Sequence, residues 1–377
     1  MNKLSRDLGI EYPVFAFSHC RDVVAAVSKS GGMGVLGIVA MDPEEIHVEL
    51  EWLTKNCGGR PFGVDVVIPV ETVDRSAGLN DAASVAADMD ALIPQAHRDF
   101  AEALMEKYGV PPQATDLGET GLHSNTATGF TAAGGSQQVD AVLEHSHALL
   151  VSALGPPPVS VIEKAHAKGI AVGSLVGKPG QAEKTAALGV DLVVCQSYEA
   201  AAHTGEIGSM VLIPDVVDVV GDVPVVAAGG IGSGRQMAAA MSLGAQGVWT
   251  GSIWLTSAES SSDPKDIDRM LTMASTDTVR SRAQTGKPNR QMRTAWTEAW
   301  DDASGPGALP MPLQYLLYAE YTQRARRAGV RELVGMPVGQ VVSRMNKVRP
   351  VSEIMLEMVE EYVVTLERMA AQLNSFS

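Results

Sequence analysis

Cysteine is scarce in this chain: Cys20, Cys57 and Cys195 are the only three in 377 residues, far apart and in no metal-type spacing. That excludes a disulfide scaffold or cysteine-rich metal knuckle and fits a reduced, cytoplasmic setting. Positive charge is also short. Twenty-nine basic residues against 44 acidic ones give a net charge of −15, which argues against nucleic acid as a partner. No apolar run approaches the roughly 20 residues needed to span a bilayer, so no membrane role is expected. The opening Met1-Asn-Lys-Leu-Ser-Arg6 leads into no apolar stretch, so no signal peptide is read. A soluble protein is expected.

What is present is a repeat of short apolar runs bounded by Gly, Pro or helix-start signals. They are Tyr12–Phe17, Gly34–Val39, Phe62–Ile68, Ala148–Ala153, Ile170–Leu175, Leu192–Cys195, Pro224–Ala228 and Gly247–Thr250. Amphipathic stretches separate most of them: Val23–Ser30, Pro43–Asn56, Val159–Lys168, Gln181–Leu188, Met210–Val220 and Gln236–Leu243. Strands alternating with helices imply a parallel sheet, and near-continuous hydrophobicity within each strand means both faces are buried. Eight strands of this kind predict an α/β fold, a (β/α)8 TIM barrel, over an open doubly wound sheet.

The seventh and eighth strands end in the runs Val225-Val-Ala-Ala-Gly-Gly-Ile-Gly-Ser-Gly-Arg235 and Gly247-Val-Trp-Thr-Gly-Ser252. Adjacent strand ends opening into Gly and Ser backbone, one of them leading into a helix, suit a dianionic phosphate. Without side chains the N–H groups can approach the oxygens, and the helix N-terminus adds positive partial charge. In this barrel class the loops after strands 7 and 8 are the usual phosphate cradle.

Two regions fall outside the repeat. Residues 70–138 are too long for one connection and read as a lid-like insertion after strand 3, with one helix at Pro94–Tyr108. A barrel over 1–256, interrupted by 70–138, is followed by a helical extension, 257–377, packed on the barrel. Its helices are read at Lys265–Ser275, Pro312–Ala328 and Val351–Gln372, with a basic, turn-rich stretch from Arg280 to Arg290 between them. The apolar faces of the tail helices need a partner and also offer a homodimer surface.

Catalytic character concentrates in the loop after strand 6, Cys195-Gln-Ser-Tyr-Glu-Ala-Ala-Ala-His-Thr-Gly-Glu-Ile-Gly208. Small residues around His203 let a flat ring approach, and histidine suits proton transfer near neutral pH. A lone loop histidine is equally at home as a structural residue. Gln196 offers both a donor and an acceptor, or caps backbone. Cys20 and Cys195 read as small buried residues.

Together these residues resemble the nitronate monooxygenases, formerly the 2-nitropropane dioxygenases, an FMN-dependent TIM-barrel superfamily. The resemblance rests on Ala201-Ala-His-Thr-Gly-Glu206, Leu212-Ile-Pro-Asp-Val-Val217 and the two glycine runs. Upstream it includes Tyr12-Pro-Val-Phe-Ala-Phe17, Val27-Ser-Lys-Ser-Gly-Gly-Met-Gly-Val-Leu-Gly37 and Pro61-Phe-Gly-Val-Asp65; downstream, Arg282-Ala-Gln-Thr-Gly-Lys-Pro-Asn-Arg290. It implies FMN at the barrel mouth, its phosphate held by Gly229, Gly230, Gly251 and Ser252 beside Trp249 and Thr250. Gln196 and Ala201 would lie near the ring and ribityl chain, Ala16 and Phe17 would line the ring, and Asp65 and Ser174 complete the cofactor set. His203 takes the family's catalytic position. No metal is implied.

Three positions depart from the family pattern: Asp65 stands where Asn is usual, Trp249 where Gln is common, and Phe17-Ser-His-Cys20 where Pro-Met is typical. His19 thereby becomes a second candidate catalytic group. The implied reaction is oxidation of a small-molecule alkyl nitronate by O2 to a carbonyl compound and nitrite. The alternative is an NAD(P)H-dependent FMN reductase acting on an enoyl thioester, because such reductases carry nearly the same motifs.

Overall fold

The computed structural model describes residues 2–39, 41–68, 89–112 and 132–375. Its barrel strands are β1 (Val14–Ser18), β2 (Met33–Gly37), β3 (Phe62–Val66), β4 (Leu149–Ser152), β5 (Ala171–Val176) and β6 (Leu192–Gln196). A two-residue strand, β7 (Ala202–His203), lies outside the barrel, and β8 (Val225–Ala228) and β9 (Gly247–Thr250) complete it. All neighbours pair in parallel, and β9 closes on β1 with Ala16 opposite Thr250. The expected TIM barrel is therefore present, with the paired glycines after its seventh strand and Gly251-Ser252 after its eighth.

Alternation along each strand separates two cores. Phe15, Met33, Val35, Leu149, Val151, Leu192, Val194, Val226 and Trp249 fill the interior. Their neighbours Ala16, Leu36, Val64, Leu150, Val193, Ala227 and Val248 face the surrounding helices. Short helix α1 (Lys3–Asp7) brings Leu4 and Leu8 into the interior cluster. The outer layer includes α2 (Arg21–Lys29) and α3 (Pro43–Asn56), the latter started by a capping box between Asp42 and Glu45.

The described part of the insertion holds α4 (Gln95–Lys107) and α5 (Ala132–Leu143). The reading of 70–138 as a lid falls mostly on residues outside those described. The expected helix in it is α4, and it does not stand alone. Ala101, Leu104 and Met105 share a second apolar core with Trp296, Trp300, Leu317, Tyr318 and Tyr321 of the tail. Glu102 accepts two hydrogen bonds from Arg324 at 2.5 and 3.0 Å across the same contact. The helical layer continues with α6 (Val159–His166), α7 (Pro179–Ala186), α8 (Ser209–Val220) and α9 (Gly234–Ser242). Ser233 caps α9 by accepting from Gln236 N, so this helix starts two residues earlier than its apolar pattern indicates.

The tail differs from its expected form in three ways. The helix read at Lys265–Ser275 is the shorter α10 (Pro264–Met270), and the chain then tightens into a 3-10 turn at Ser275–Asp277. The basic stretch after it is a hairpin, β10 (Thr278–Ser281) with β11 (Asn289–Met292), whose turn accounts for the Gly and Pro content. An extra helix, α11 (Ala295–Asp301), starts at the capped Thr294; it is too short for apolar periodicity to reveal. The remaining helices, α12 (Leu313–Ala328) and α13 (Val351–Asn374), lie as expected. Helix α13 straps the barrel by crossing the start of α9 at Gly234. A side chain there would collide with the main chain of Met358 and Tyr362.

Candidate active site

Three glycines end the seventh and eighth barrel strands. Gly229 and Gly230 have φ of +106° and +69°, so the turn after β8 requires residues without a Cβ penalty. A Cβ on Gly229 would collide with Ser197 Oγ, whereas a Cβ on Gly251 would meet nothing within 4 Å. All three are half-buried, and outside the barrel ladder their main-chain N–H groups donate no hydrogen bond among the described residues. Backbone without side chains at two adjacent strand ends leaves room for an anion, while the first N–H groups of α9 are taken by Glu361 and Ser233. The residues present fit a phosphate.

The serine and threonine beside this cradle hold it in shape. Thr250 donates to Phe15 O at 2.9 Å and accepts from Trp254 Nε1 at 3.0 Å, tying β9 to β1 and to the 3-10 turn Ser252–Trp254. Ser252 Oγ accepts from Gly339 N at 2.8 Å. That contact exposes what the sequence reading missed. The tail segment at Gly339–Gln340 forms another wall, with Gln340 N donating to Glu199 O at 3.1 Å. A Cβ on Gly339 would lie 3.0 Å from Glu199 O and 3.2 Å from Ala201 N. The Pro337–Gly339 turn signal is visible in the sequence, but nothing local shows that it returns to the barrel mouth.

Inside the mouth, Trp249 stacks against Phe15 and Phe17 at centroid distances of 6.2 and 6.4 Å. Phe17 faces the interior cluster, whereas Ala16 is fully buried against the helices and offers only backbone. Ser174 also turns away from the interior. With Ser152 it donates to Gly155 O, at 3.1 and 2.7 Å, pinning the loop after β4. Gln196 Nε2 donates to Ala201 O at 3.4 Å, and its register partner is Ala228, the residue before the glycine pair.

Asp65 lies on β3, opposite Gly37 on one side and Val151 on the other, and is nearly inaccessible. Burial pushes its carboxyl well above the usual range, with no cation hydrogen-bonded to it among the described residues. The sign of the consequence is fixed. A carboxyl with a raised folded pKa costs stability as pH rises above its unfolded value of about 3.9. Asp65→Asn is therefore expected to melt higher than the parent near pH 8, with the gap closing toward pH ~4, as calorimetry across that range will show. A constant gap would mean that Asp65 is not a buried acid.

His19 packs its ring edge-on to Phe17, 5.1 Å between centroids, and its Nδ1 lies 2.8 Å from Gly37 O. Nδ1–H donates there, leaving Nε2 as an acceptor. The ring keeps one edge open to solvent, yet the protein crowding its other faces lowers its pKa.

His203 belongs to β7, which pairs antiparallel with β11, His203 opposite Asn289. Ala202 just before it has φ +59°, the one positive value at a non-glycine among the described residues, a strain held by this small sheet. Arg290 braces the loop, donating to Tyr198 O at 3.1 Å with its guanidinium 4.5 Å above the Tyr198 ring. Nδ1 of His203 faces Pro288 O at 3.4 Å, and burial pushes the imidazole down to about 4. His203 and Gln196 line a cavity of about 450 Å³ whose rim carries Lys178, Lys184 and Arg280. Of the three cysteines, Cys57 and Cys195 are buried and free, and burial pushes the Cys195 thiol up to about 12. No described cluster of His, Cys, Asp and Glu has the makings of a metal site.

A sequence profile described as "Nitronate monooxygenase" matches residues 3–361, nearly the whole chain. The chain belongs to the nitronate monooxygenase family. It is 45% identical over 367 residues to "Putative monooxygenase Rv1533" of Mycobacterium tuberculosis, covering 95% of this chain and 96% of the relative. Among solved structures it resembles the nitroalkane oxidase of Streptomyces ansochromogenes, at TM-score 0.76 and 22% identity over 98% of this chain and 100% of that one. It also resembles FabK of Thermotoga maritima, at TM-score 0.73 and 23% identity over 99% of each chain. At those identities the two structures speak for the barrel alone. Membership of the nitronate monooxygenases makes the chain an enzyme, an oxidoreductase. Among the described residues no helix is long and apolar enough to cross a membrane.

Proposed function

We propose that this enzyme oxidises alkyl nitronates with O2, using FMN bound at the barrel mouth. The observation that carries the reading is a juxtaposition. Side-chain-free backbone at Gly229, Gly230 and Gly251 opens beside the strand end where Gln196 leads into the cavity containing His203. The glycines and the Ser252 backbone would hold the phosphate, and Phe17, Asp65, Gln196 and Trp249 would meet the ring. Bound there, FMN supplies the electron transfer between nitronate carbon and O2 that yields a carbonyl compound and nitrite.

The chain's own residues position the substrate and handle its proton. His203 spends Nδ1–H on Pro288 O and keeps Nε2 free. With its pKa near 4, the ring is neutral at neutral pH and able to accept the α-proton of a neutral nitroalkane. An anionic nitronate beside it favours the protonated ring, so the same group then orients the anion. The loops after strands 4, 5 and 6 wall the cavity at this point.

The second reading is NAD(P)H-dependent reduction of an enoyl thioester, and one observation favours it. Lys178, Lys184 and Arg280 face Glu206 alone among the acidic residues on the cavity lining, in a chain of net charge −15. Such a rim suits the phosphates of a thioester carrier or of NAD(P)H. Anaerobic titration separates the two. Bleaching of the bound flavin by propyl nitronate, with no response to NADH or NADPH, is the expected result; rapid bleaching by either nicotinamide would replace the first reading with the second.

A further inference from the structure

The last helix has more apolar surface than the barrel uses. Val351, Ile354, Met355, Met358 and Thr365 form the buried stripe of α13. A second stripe, Leu356, Val359, Val363, Leu366, Ala370 and Leu373, lies roughly a quarter-turn round the helix from it. Its steps alternate three and four residues, the spacing of an interhelical seam. Its large members are open to solvent: Leu356 58%, Val363 46%, Leu366 37% and Leu373 70%. From Leu366 onward no described residue of α13 is buried, so the final turns overhang the barrel. An unsupported helix end carrying Leu366, Met369 and Leu373 is a poor free-standing structure in water.

The stripe divides into two halves of matching length, Leu356 to Val363 seated on the barrel and Leu366 to Leu373 overhanging it. The pattern reads the same from either end. We propose that two copies of this chain pair through α13 in an antiparallel two-fold arrangement. Leu356 then faces the partner's Leu373, Val359 the partner's Ala370, and Val363 the partner's Leu366. Each overhang thereby rests on the seated half of the other helix, a self-complementary contact of the isologous kind. The seam, about 25 Å long, buries on the order of 1,000 Å² over both copies, near the lower bound for a specific interface. Tyr362 and Met369 border the seam on one side and add apolar contact. Glu360 and Glu367 border it on the other and repel across the two-fold, so added salt tightens the dimer.

The test uses the full-length protein. Wild type should sediment as a dimer at about 50 µM, more so as ionic strength rises, and Val363→Glu/Leu366→Glu as a monomer with unchanged circular dichroism and melting. Register is tested separately by cysteines. Leu356→Cys/Leu373→Cys should oxidise to a covalent dimer, since within one helix these sites are about 25 Å apart and cannot bridge. Leu356→Cys alone should not cross-link. A wild-type monomer at that concentration, a dimer that survives the double Glu variant, or cross-linking by Leu356→Cys alone would each overturn the proposal. None of these outcomes depends on the cofactor or the substrate.

Discussion

Gly251→Asp is expected to cost the enzyme its FMN while leaving the barrel folded. At Gly251 φ is negative, and a Cβ there meets nothing within 4 Å. The substitution therefore carries little steric penalty. It does place a carboxylate at the corner lined by the Gly229, Gly230 and Gly251 backbone, so a dianionic phosphate bound there meets like charge. A loss of at least about 100-fold in FMN affinity, roughly 3 kcal/mol, is expected. Melting of the flavin-free protein should shift little. Fluorescence titration with FMN measures the first and calorimetry of the apoprotein the second. Gly229→Ala makes an instructive contrast. Its Cβ collides with Ser197 Oγ at φ +106°, so it should lower both affinity and stability. If Gly251→Asp binds FMN as tightly as the parent, the phosphate is not held at this corner.

His203→Ala is expected to lower turnover of propyl nitronate or nitroethane by roughly 10²- to 10⁴-fold while the flavin stays bound. The ring lines the cavity and is not part of the glycine cradle, so kcat should fall with little change in FMN affinity. The pH dependence gives a second reading of the same role. Burial sets this imidazole near 4, and the neutral form is the one that accepts a proton. Activity on a neutral nitroalkane should therefore stay level as pH falls through 6.5 and decline only toward pH ~4. A parent-like rate in His203→Ala, on either substrate, would remove the histidine from the mechanism. His19→Ala serves as the companion variant. A comparable loss there would show that the departure after β1 added a second working group.

The barrel was legible because its signal is redundant. Eight apolar runs, each bounded by Gly, Pro or a helix-start residue, repeat one physical unit. The glycine-lined corner was legible for a related reason: Gly229, Gly230 and Gly251 fall at the ends of adjacent strands. His203 stood out through its small neighbours, but its support did not. The strand it occupies is two residues long and exists only because β11, more than eighty residues downstream, pairs with it. The Gly339–Gln340 wall was hidden in the same way, since its partners Ser252 and Glu199 are distant in sequence. Ser174 differs again. A family position identifies the residue, and alternation along β5 turns its hydroxyl outward to Gly155, an orientation the sequence does not show.

The departures at Asp65 and Trp249 gain a physical setting from the fold. Trp249 completes an aromatic stack with Phe15 and Phe17 inside the mouth, and Asp65 lies at the same end of the barrel with no cation hydrogen-bonded to it among the described residues. A neutral acid can donate a hydrogen bond where the usual Asn also donates one. In its protonated form Asp65 therefore keeps a donor at this position, and unlike Asn it can also lose that proton. Asp65→Asn should restore the family's pattern without emptying the site.

Purified, never-denatured protein provides the most direct measurement. Its absorbance between 350 and 500 nm, with the released cofactor identified by mass, tests whether a flavin phosphate occupies the glycine corner. About one FMN per chain, lost in Gly251→Asp and retained in His203→Ala, is the expected result. A colourless protein that takes up no FMN on reconstitution, or one that binds FMN equally well with Asp at position 251, would contradict the account.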